Sequence, residues 1–307
     1  MADSKPLSIL KFGKTGQVAR ALSRAAIERS DISIRDLGRA EADLQRPDDI
    51  ARAIQDAGHI DVVVNAAAYT AVDKAEAEPE IARLVNFESV AAMAQACRVR
   101  DIPLIHISTD YVFDGSKSSP YVEDDATNPL GVYGRTKLEG EIAIRATGAK
   151  HVILRTSWVY SPWGTNFIKT MLRLGAERDE LRVVDDQYGA PTSAANIAGA
   201  ILSIAPRIAH GSDPNLLGTF HYSDAGETTW RRFAEAIFVD AGSWAAIKAR
   251  VVPITTAEYP TAARRPENSR LDCSKLERVY NVARSPWREA LRRVLKELET
   301  AQAGGTP

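Results

Sequence analysis

Apolar positions recur along the first half of the chain in two alternating rhythms. Short apolar runs at residues 8–12, 32–37, 61–65, 103–108 and 151–156 read as strands, several of them continuous enough to be buried on both faces. Between them, residues 17–29 place Val18, Leu22, Ala25 and Ala26 on one helical face, and 47–57, 78–100 and 133–145 also carry helical spacing. Strand and helix alternating in this way predict a parallel sheet with right-handed crossovers. The expected fold class is therefore α/β, a doubly wound parallel sheet.

Beyond about residue 156 the rhythm loosens, and Pro162, Pro191, Pro206, Pro214, Pro253, Pro260 and Pro266 punctuate it. Helical spacing persists at 166–173, 194–204 and 229–239. The division expected is a dinucleotide-binding domain over 1–156. A smaller, mostly substrate-binding lobe then covers 157–307, with some elements returning to the first domain. The small polar tail, 300–307, is expected to be disordered. Lys11 departs from the pattern: it sits inside the first strand, where it is expected to snorkel or to mark a sheet edge.

Composition narrows the function classes. The chain has 307 residues, 45% hydrophobic and 26% charged, enough for a sizeable core. With 39 basic and 40 acidic residues the net charge is −1, which argues against nucleic acid as a partner. No run approaches the roughly 18 apolar residues of a membrane span, and 1–7 do not resemble a signal peptide. Cys97 and Cys273 form no C-x-x-C pair, so zinc is not expected. A reducing, cytoplasmic setting is the simplest expectation.

Phe12-Gly13-Lys14-Thr15-Gly16-Gln17-Val18-Ala19 follows the first strand and opens the first helix. Glycines there let the backbone approach a pyrophosphate, and the helix start supplies free N–H groups. The spacing is G-x-x-G-x-x-A, and Lys14-Thr15 does not complete a P-loop signature. Asp36 ends the second strand, where an acid accepts from the ribose hydroxyls of NADH. Arg35 and Arg39 flank it and suit the 2′-phosphate of NADPH, so both coenzymes stay open. Asn65-Ala66-Ala67-Ala68-Tyr69 ends the third strand with small residues, which suit close approach to a flat ligand.

Ser108-Thr109-Asp110-Tyr111 ends the next strand, at the sheet edge where open α/β folds place ligands. Tyr133 and Lys137, four apart, share one face of the following helix. A free phenol has a pKa of about 10, and a nearby ammonium lowers it toward useful acid–base chemistry. Y-x-x-x-K alone is common on helix surfaces. Its place after a glycine loop, an N-A-A strand end and an S-T strand end makes it a carbonyl-reducing constellation: Thr109 or Ser108 holds the carbonyl oxygen, Tyr133 gives the proton and Lys137 holds the nicotinamide ribose.

These motifs together resemble the extended short-chain dehydrogenase/reductases, of Rossmann type. Within them the chain is similar to the dTDP-4-dehydrorhamnose reductase family. FGKTGQVA, VNAAAYTAVDKAE, ISTDYVFDG, NPLGVYGRTKLEGE, LRTSWVY, NFIKTML, DDQYGAPT and YPTAARRPENSRL carry the likeness over nearly the whole length.

The resemblance implies reduction of the C4 ketone of dTDP-4-dehydro-β-L-rhamnose to dTDP-L-rhamnose with NADPH or NADH. It implies Tyr133, Lys137 and Thr109 as catalytic residues. Coenzyme contacts would come from Gly13, Lys14, Thr15, Gly16, Gln17, Val18, Asp36, Arg39, Asp43, Leu44, Ala66, Ala67, Ala68, Tyr69 and Lys137. The nucleotide sugar would meet Val72, Asp73, Thr109, Asp110, Tyr111, Trp158 and Asn166. Arg264, Arg265, Asn268 and Ser269 would hold its diphosphate or thymidine end. On composition alone Trp158 reads more readily as a core residue than as a ligand contact, and the arginines can also be read as a solvated face.

Some members of the family dimerise through magnesium held by three glutamates. The matching positions here are Ala21, Ala195 and Glu297, too few carboxylates for a hard cation. No magnesium is expected, and the chain is expected to be a monomer or a homodimer without a metal bridge. Two rivals remain: a reductase or epimerase of another nucleotide sugar, and a non-catalytic NADP-binding regulatory subunit. The complete Thr109, Tyr133 and Lys137 set disfavours the second.

Overall fold

A computed structural model describes residues 5–304. The first half runs β1 (Leu7–Phe12), α1 (Gln17–Ile27), β2 (Ile32–Leu37), α2 (Pro47–Gln55), β3 (Val62–Asn65) and α3 (Val72–Ala77). Next come α4 (Pro79–Arg83), a π-helical turn (Leu84–Glu88), α5 (Ser89–Val99), β4 (Leu104–Thr109), α6 (Val132–Thr147) and β5 (His151–Thr156). The second half adds β6 (Val159–Tyr160), α7 (Phe167–Glu177), β7 (Glu180–Val184), β8 (Tyr188–Gly189), β9 (Thr192–Ser193), α8 (Ala194–His210) and β10 (Gly218–His221). It closes with β11 (Thr228–Thr229), α9 (Trp230–Ala241), β12 (Arg250–Ile254), α10 (Ser274–Tyr280) and α11 (Trp287–Gly304).

Six parallel strands form the central sheet in the order β10-β5-β4-β3-β1-β2. β2 lies on one side of β1 and β3 on the other, so the winding reverses there. In such sheets the crevice at the reversal, outside the strands' C-terminal ends, takes the ligand. Val62, Val63 and Val64 of β3 are wholly buried because both faces are covered. Leu22 of α1 and Ile197 and Ile201 of α8 pack on one face, and Ile50 of α2 and Met93 of α5 pack on the other.

β10 and α8 come from the second half of the chain but join the first core. A separate core holds Ile168 of α7, Leu181 and Val183 of β7, Phe233 and Ile237 of α9 and Leu291 of α11.

Three expectations change. Residues 78–100 are not one regular helix: the π-helical turn interrupts them, and such turns concentrate at functional sites. The tail is not disordered through 300–304, because α11 continues to Gly304; residues 305–307 lie outside the described residues. Lys11 neither snorkels nor marks an edge. β1 is flanked by β3 and β2, and Lys11 is 0% exposed. Its Nζ donates to the Ala19 carbonyl and to Ser23 Oγ, and lies 3.2 Å from Asp36 Oδ1.

Candidate active site

The C-terminal ends of β1, β3, β4 and β5 open onto one cavity of about 880 Å³. Gly13, Lys14, Thr15, Gly16, Gln17 and Val18 form its floor. Gly13 has φ +110°, and a Cβ there would come within 3.0 Å of the Ala66 carbonyl oxygen. The turn therefore needs glycine for both its backbone angle and its space. Ala66, Ala67 and Ala68 form the facing wall, and Arg39, Asp43 and Leu44 line the far end.

The π-helical turn holds that wall. It presents Asn86, whose Oδ1 accepts from Tyr69 N at 2.9 Å and whose Nδ2 donates to Tyr69 O at 3.1 Å. The same amide donates to Thr136 Oγ1 of α6 at 3.2 Å. One side chain thus ties the alanine wall to the helix that carries Tyr133 and Lys137.

α6 starts where Glu76 Oε1 accepts from Val132 N at 2.7 Å. Gly134 lets the helix press against β4's end, since a Cβ there would meet the Tyr111 carbonyl oxygen at 2.1 Å. Tyr133 and Lys137 consequently face the cavity beside Ile107, Ser108, Thr109, Asp110 and Tyr111. The Tyr111 and Tyr133 rings meet edge to face, 5.5 Å apart at 74°.

The electrostatics differ from the sequence expectation. Desolvation pushes Tyr133 up to about 12, opposed by the Thr109 hydroxyl, so the phenol is not lowered. Lys137 is buried, and desolvation lowers its pKa to about 8 while Glu141 opposes the shift. One of its ammonium protons goes to Ile107 O, with Nζ at 2.7 Å. Burial likewise pushes Asp110 up to about 6. Asp110 Oδ2 and Thr156 Oγ1 are buried with no hydrogen-bond partner among the described residues. Both residues line the cavity, so a polar ligand would satisfy them.

Trp158 also lines the cavity, in a left-handed backbone conformation (φ 47°). Its indole stacks on Trp230 at 3.6 Å, so it is at once a cavity wall and a packed residue. Val72 lines the wall as well.

Other residues singled out in the sequence do not reach the cavity. Asp36 faces Lys11 and accepts from Ser23 Oγ at 2.9 Å. Tyr69 turns its hydroxyl to Glu78 at 2.7 Å. Asn166 caps α7, its Oδ1 accepting from Lys169 N at 3.2 Å, and donates to Gln17 Oε1 at 3.0 Å. Asp73 pairs with Arg265 at 2.7 Å. Asn268 donates to the carbonyls of Lys117 and Ser119 at 2.6 and 2.9 Å, fastening a loop. Ser269 is buried beside Asp110, and Arg264 is exposed. Of the three positions that match the family's magnesium glutamates, Glu297 pairs with Arg24.

Sequence reasoning missed Gly38, Glu41, Thr70, Val85, Thr156, Ser157 and Thr165, all on the cavity. Thr156 and Ser157 follow a strand, which is a usable signal. Glu41 lies in a loop whose path no local pattern predicts.

Comparison with known proteins agrees with this geometry. Residues 7–300 match the family profile described as the RmlD substrate binding domain. A dTDP-4-dehydrorhamnose reductase from Sinorhizobium fredii is 50% identical over 283 residues, covering 92% of this chain and 95% of its own length.

The chain belongs to the dTDP-4-dehydrorhamnose reductase family.

The Escherichia coli (strain K12) reductase is 44% identical, covering 97% of this chain and 100% of its own. Among solved structures, the family member from Clostridium acetobutylicum superposes with a TM-score of 0.88 at 34% identity, over 95% of this chain and 100% of that one. The Bacillus anthracis reductase, solved in complex with NADP, gives 0.84 at 33% identity, over 95% and 99%. Family members are NAD(P)H-dependent reductases, and the cavity of this chain has the glycine floor and alanine wall that such a coenzyme needs.

Proposed function

We propose that this chain reduces the C4 ketone of dTDP-4-dehydro-β-L-rhamnose to the alcohol of dTDP-L-rhamnose, the last step in making that nucleotide sugar. The observation that carries the reading is the convergence of Thr109, Tyr133 and Lys137 on one cavity with the glycine floor. The bound nicotinamide coenzyme supplies the hydride. Gly13 to Val18 cradle its pyrophosphate, Ala66 to Ala68 lie along it, and Lys137 holds the nicotinamide ribose.

In reduction, Tyr133 serves as the acid. A phenol near 12 stays protonated at neutral pH and transfers its proton only as charge develops on the sugar oxygen. Thr109 holds that oxygen, with Asp110, Tyr111, Val72 and Trp158 around the sugar. The Asp73–Arg265 pair lies near Tyr111, and with the segment from Arg264 to Ser269 it is assigned to the diphosphate or thymidine end.

At the adenosine end, Asp36 is engaged by Lys11, so the ribose falls to other residues. Glu41 accepts from Gly38 N at 2.9 Å and lies beside Lys14 on the cavity wall. Its carboxylate suits a 2′-hydroxyl, and Lys14 and Arg39 suit a 2′-phosphate. This mixed set fits use of both NADH and NADPH. The chain acts in the cytoplasm as a monomer or homodimer.

The direct test mixes purified protein with NADPH or NADH and the keto sugar, following coenzyme absorbance and identifying the product. No consumption of either coenzyme would refute the reading. Faster turnover of a UDP- or GDP-linked ketone would move it to another nucleotide sugar.

A further inference from the structure

Behind the reacting groups lies a histidine that the chemistry above does not use. His106 sits in the middle of β4, 0% exposed. Its Nε2 is 3.1 Å from Lys137 Nζ, and its Nδ1 is 3.1 Å from the Asn65 carboxamide at the end of β3. Asn65 Oδ1 in turn meets Ala67 N at 3.1 Å, on the coenzyme wall. A buried core histidine needs only to fill space. This one bridges the two strand ends that build the cavity and touches the charge that must hold the coenzyme.

Burial pushes the His106 pKa well below its ordinary value, helped by the Lys137 charge, so the ring is neutral. A neutral imidazole has one acceptor nitrogen, and an ammonium has only protons to give. Nε2 is therefore the acceptor toward Lys137, and the ring proton sits on Nδ1. As placed, Asn65 Nδ2 faces that nitrogen and Oδ1 accepts from Ala67 N, so the ring proton requires a half-turn of the carboxamide that gives up the Ala67 bond.

We propose that His106 is a positioning residue for Lys137. The imidazole and the Ile107 carbonyl take two of the three ammonium protons and aim the third into the cavity, toward the coenzyme ribose. The inference rests on the reading of Lys137 as the coenzyme-holding lysine. It predicts a directional role that a packing residue would not have. Removing the acceptor frees Nζ to swing and makes the charged form costlier still.

The other titratable groups around Lys137 act differently. Tyr133 and Glu141 share its helix. Glu141 is already held by Arg155 of β5 at 2.7 Å and by Arg145 at 3.2 Å, and it favours the charged lysine from behind. Asp110 follows β4 and acts on Tyr133, adding to the rise that burial gives its pKa. None of these offers an acceptor in the position of Nε2.

The experiment compares His106→Leu, His106→Gln and Lys137→Met in the full chain. It reads the NADP+ dissociation constant by titration calorimetry, the basic limb of the kcat/KM profile, and the melting temperature. His106→Leu is expected to weaken NADP+ about tenfold, the scale of one hydrogen bond to a charged group. It is also expected to move the basic limb to lower pH. His106→Gln, which keeps an acceptor, recovers part of both. Should His106→Leu not fold, His106→Met gives the same comparison. Wild-type NADP+ affinity and an unmoved limb in the folded apolar variant would overturn the proposal, whatever its melting temperature. Wild-type NADP+ affinity in Lys137→Met would instead overturn the reading of Lys137 itself.

Discussion

Lys11 Nζ lies 3.2 Å from Asp36 Oδ1, beneath the sheet's cofactor edge and outside the cavity. Burial lowers the Lys11 pKa while Asp36 opposes that shift, and the contact gives the carboxylate a core lysine as its partner in place of a ribose. Asp36→Asn should therefore leave the ratio of NADPH to NADH affinities unchanged. It should destabilise the fold, because it strands a buried ammonium. The loss belongs at the low end of the roughly 3–5 kcal/mol typical of broken buried pairs, since Asp36 is partly exposed. Urea unfolding with parallel coenzyme titrations measures both, and a changed ratio would return Asp36 to the ribose.

Coenzyme choice should instead respond at the loop after β2. Arg39→Ala should weaken NADP+ by about tenfold, the scale of a lost charge-assisted hydrogen bond, with little change for NAD+. Glu41→Gln should act in the opposite sense, weakening NAD+ more than NADP+. Equal effects on both coenzymes in both variants would show that the 2′ position lies elsewhere.

Tyr133→Phe removes the proton donor but leaves the ring against Tyr111. Turnover should drop by about 10²–10⁴, with NADP+ affinity held near wild type. In the wild-type protein, activity should fall as pH rises through about 8, where Lys137 loses its charge. The sign for stability is opposite. The unfolded chain keeps this proton up to the ordinary lysine value, so between the two pKa values the contribution of Lys137 to stability rises with pH. Thermal melts across the same range thus separate lost chemistry from unfolding. An activity that stays level to pH 10 would exclude Lys137 as the titrating group.

Glu141 and Arg155 form a buried pair at 2.7 Å, and Ser108 Oγ donates to the same carboxylate at 2.5 Å. Breaking it with Glu141→Gln should cost about 3–5 kcal/mol. Although burial opposes it, the net shift of Glu141 is downward, held by Arg155 first and then Ser108. Its stabilisation is therefore present above the ordinary carboxylate pKa and is lost as pH falls through the lowered one. Glu141→Gln should flatten that acid limb of the stability curve. An unaltered limb in denaturant titrations would count against the pair.

The strand–helix alternation, the glycine turn, the serine–threonine strand end and the Tyr133–Lys137 spacing were all legible in the sequence, because each depends on neighbours within one turn or one strand. The doubly wound sheet follows from the same local order, since parallel strands require crossovers of one hand. Three-dimensional packing decided the rest. Whether Asp36 meets a ribose or Lys11 depends on which face of β2 it occupies and on a lysine 25 residues earlier in the chain. Whether Asn268 and Asn166 bind ligand or fasten loops depends on carbonyls and side chains as far as 151 residues away. The placement of Glu41, and the meeting of His106 with Lys137, likewise required the folded chain. Local pattern records which chemistry a residue can offer, and long-range packing determines which partner has already taken it.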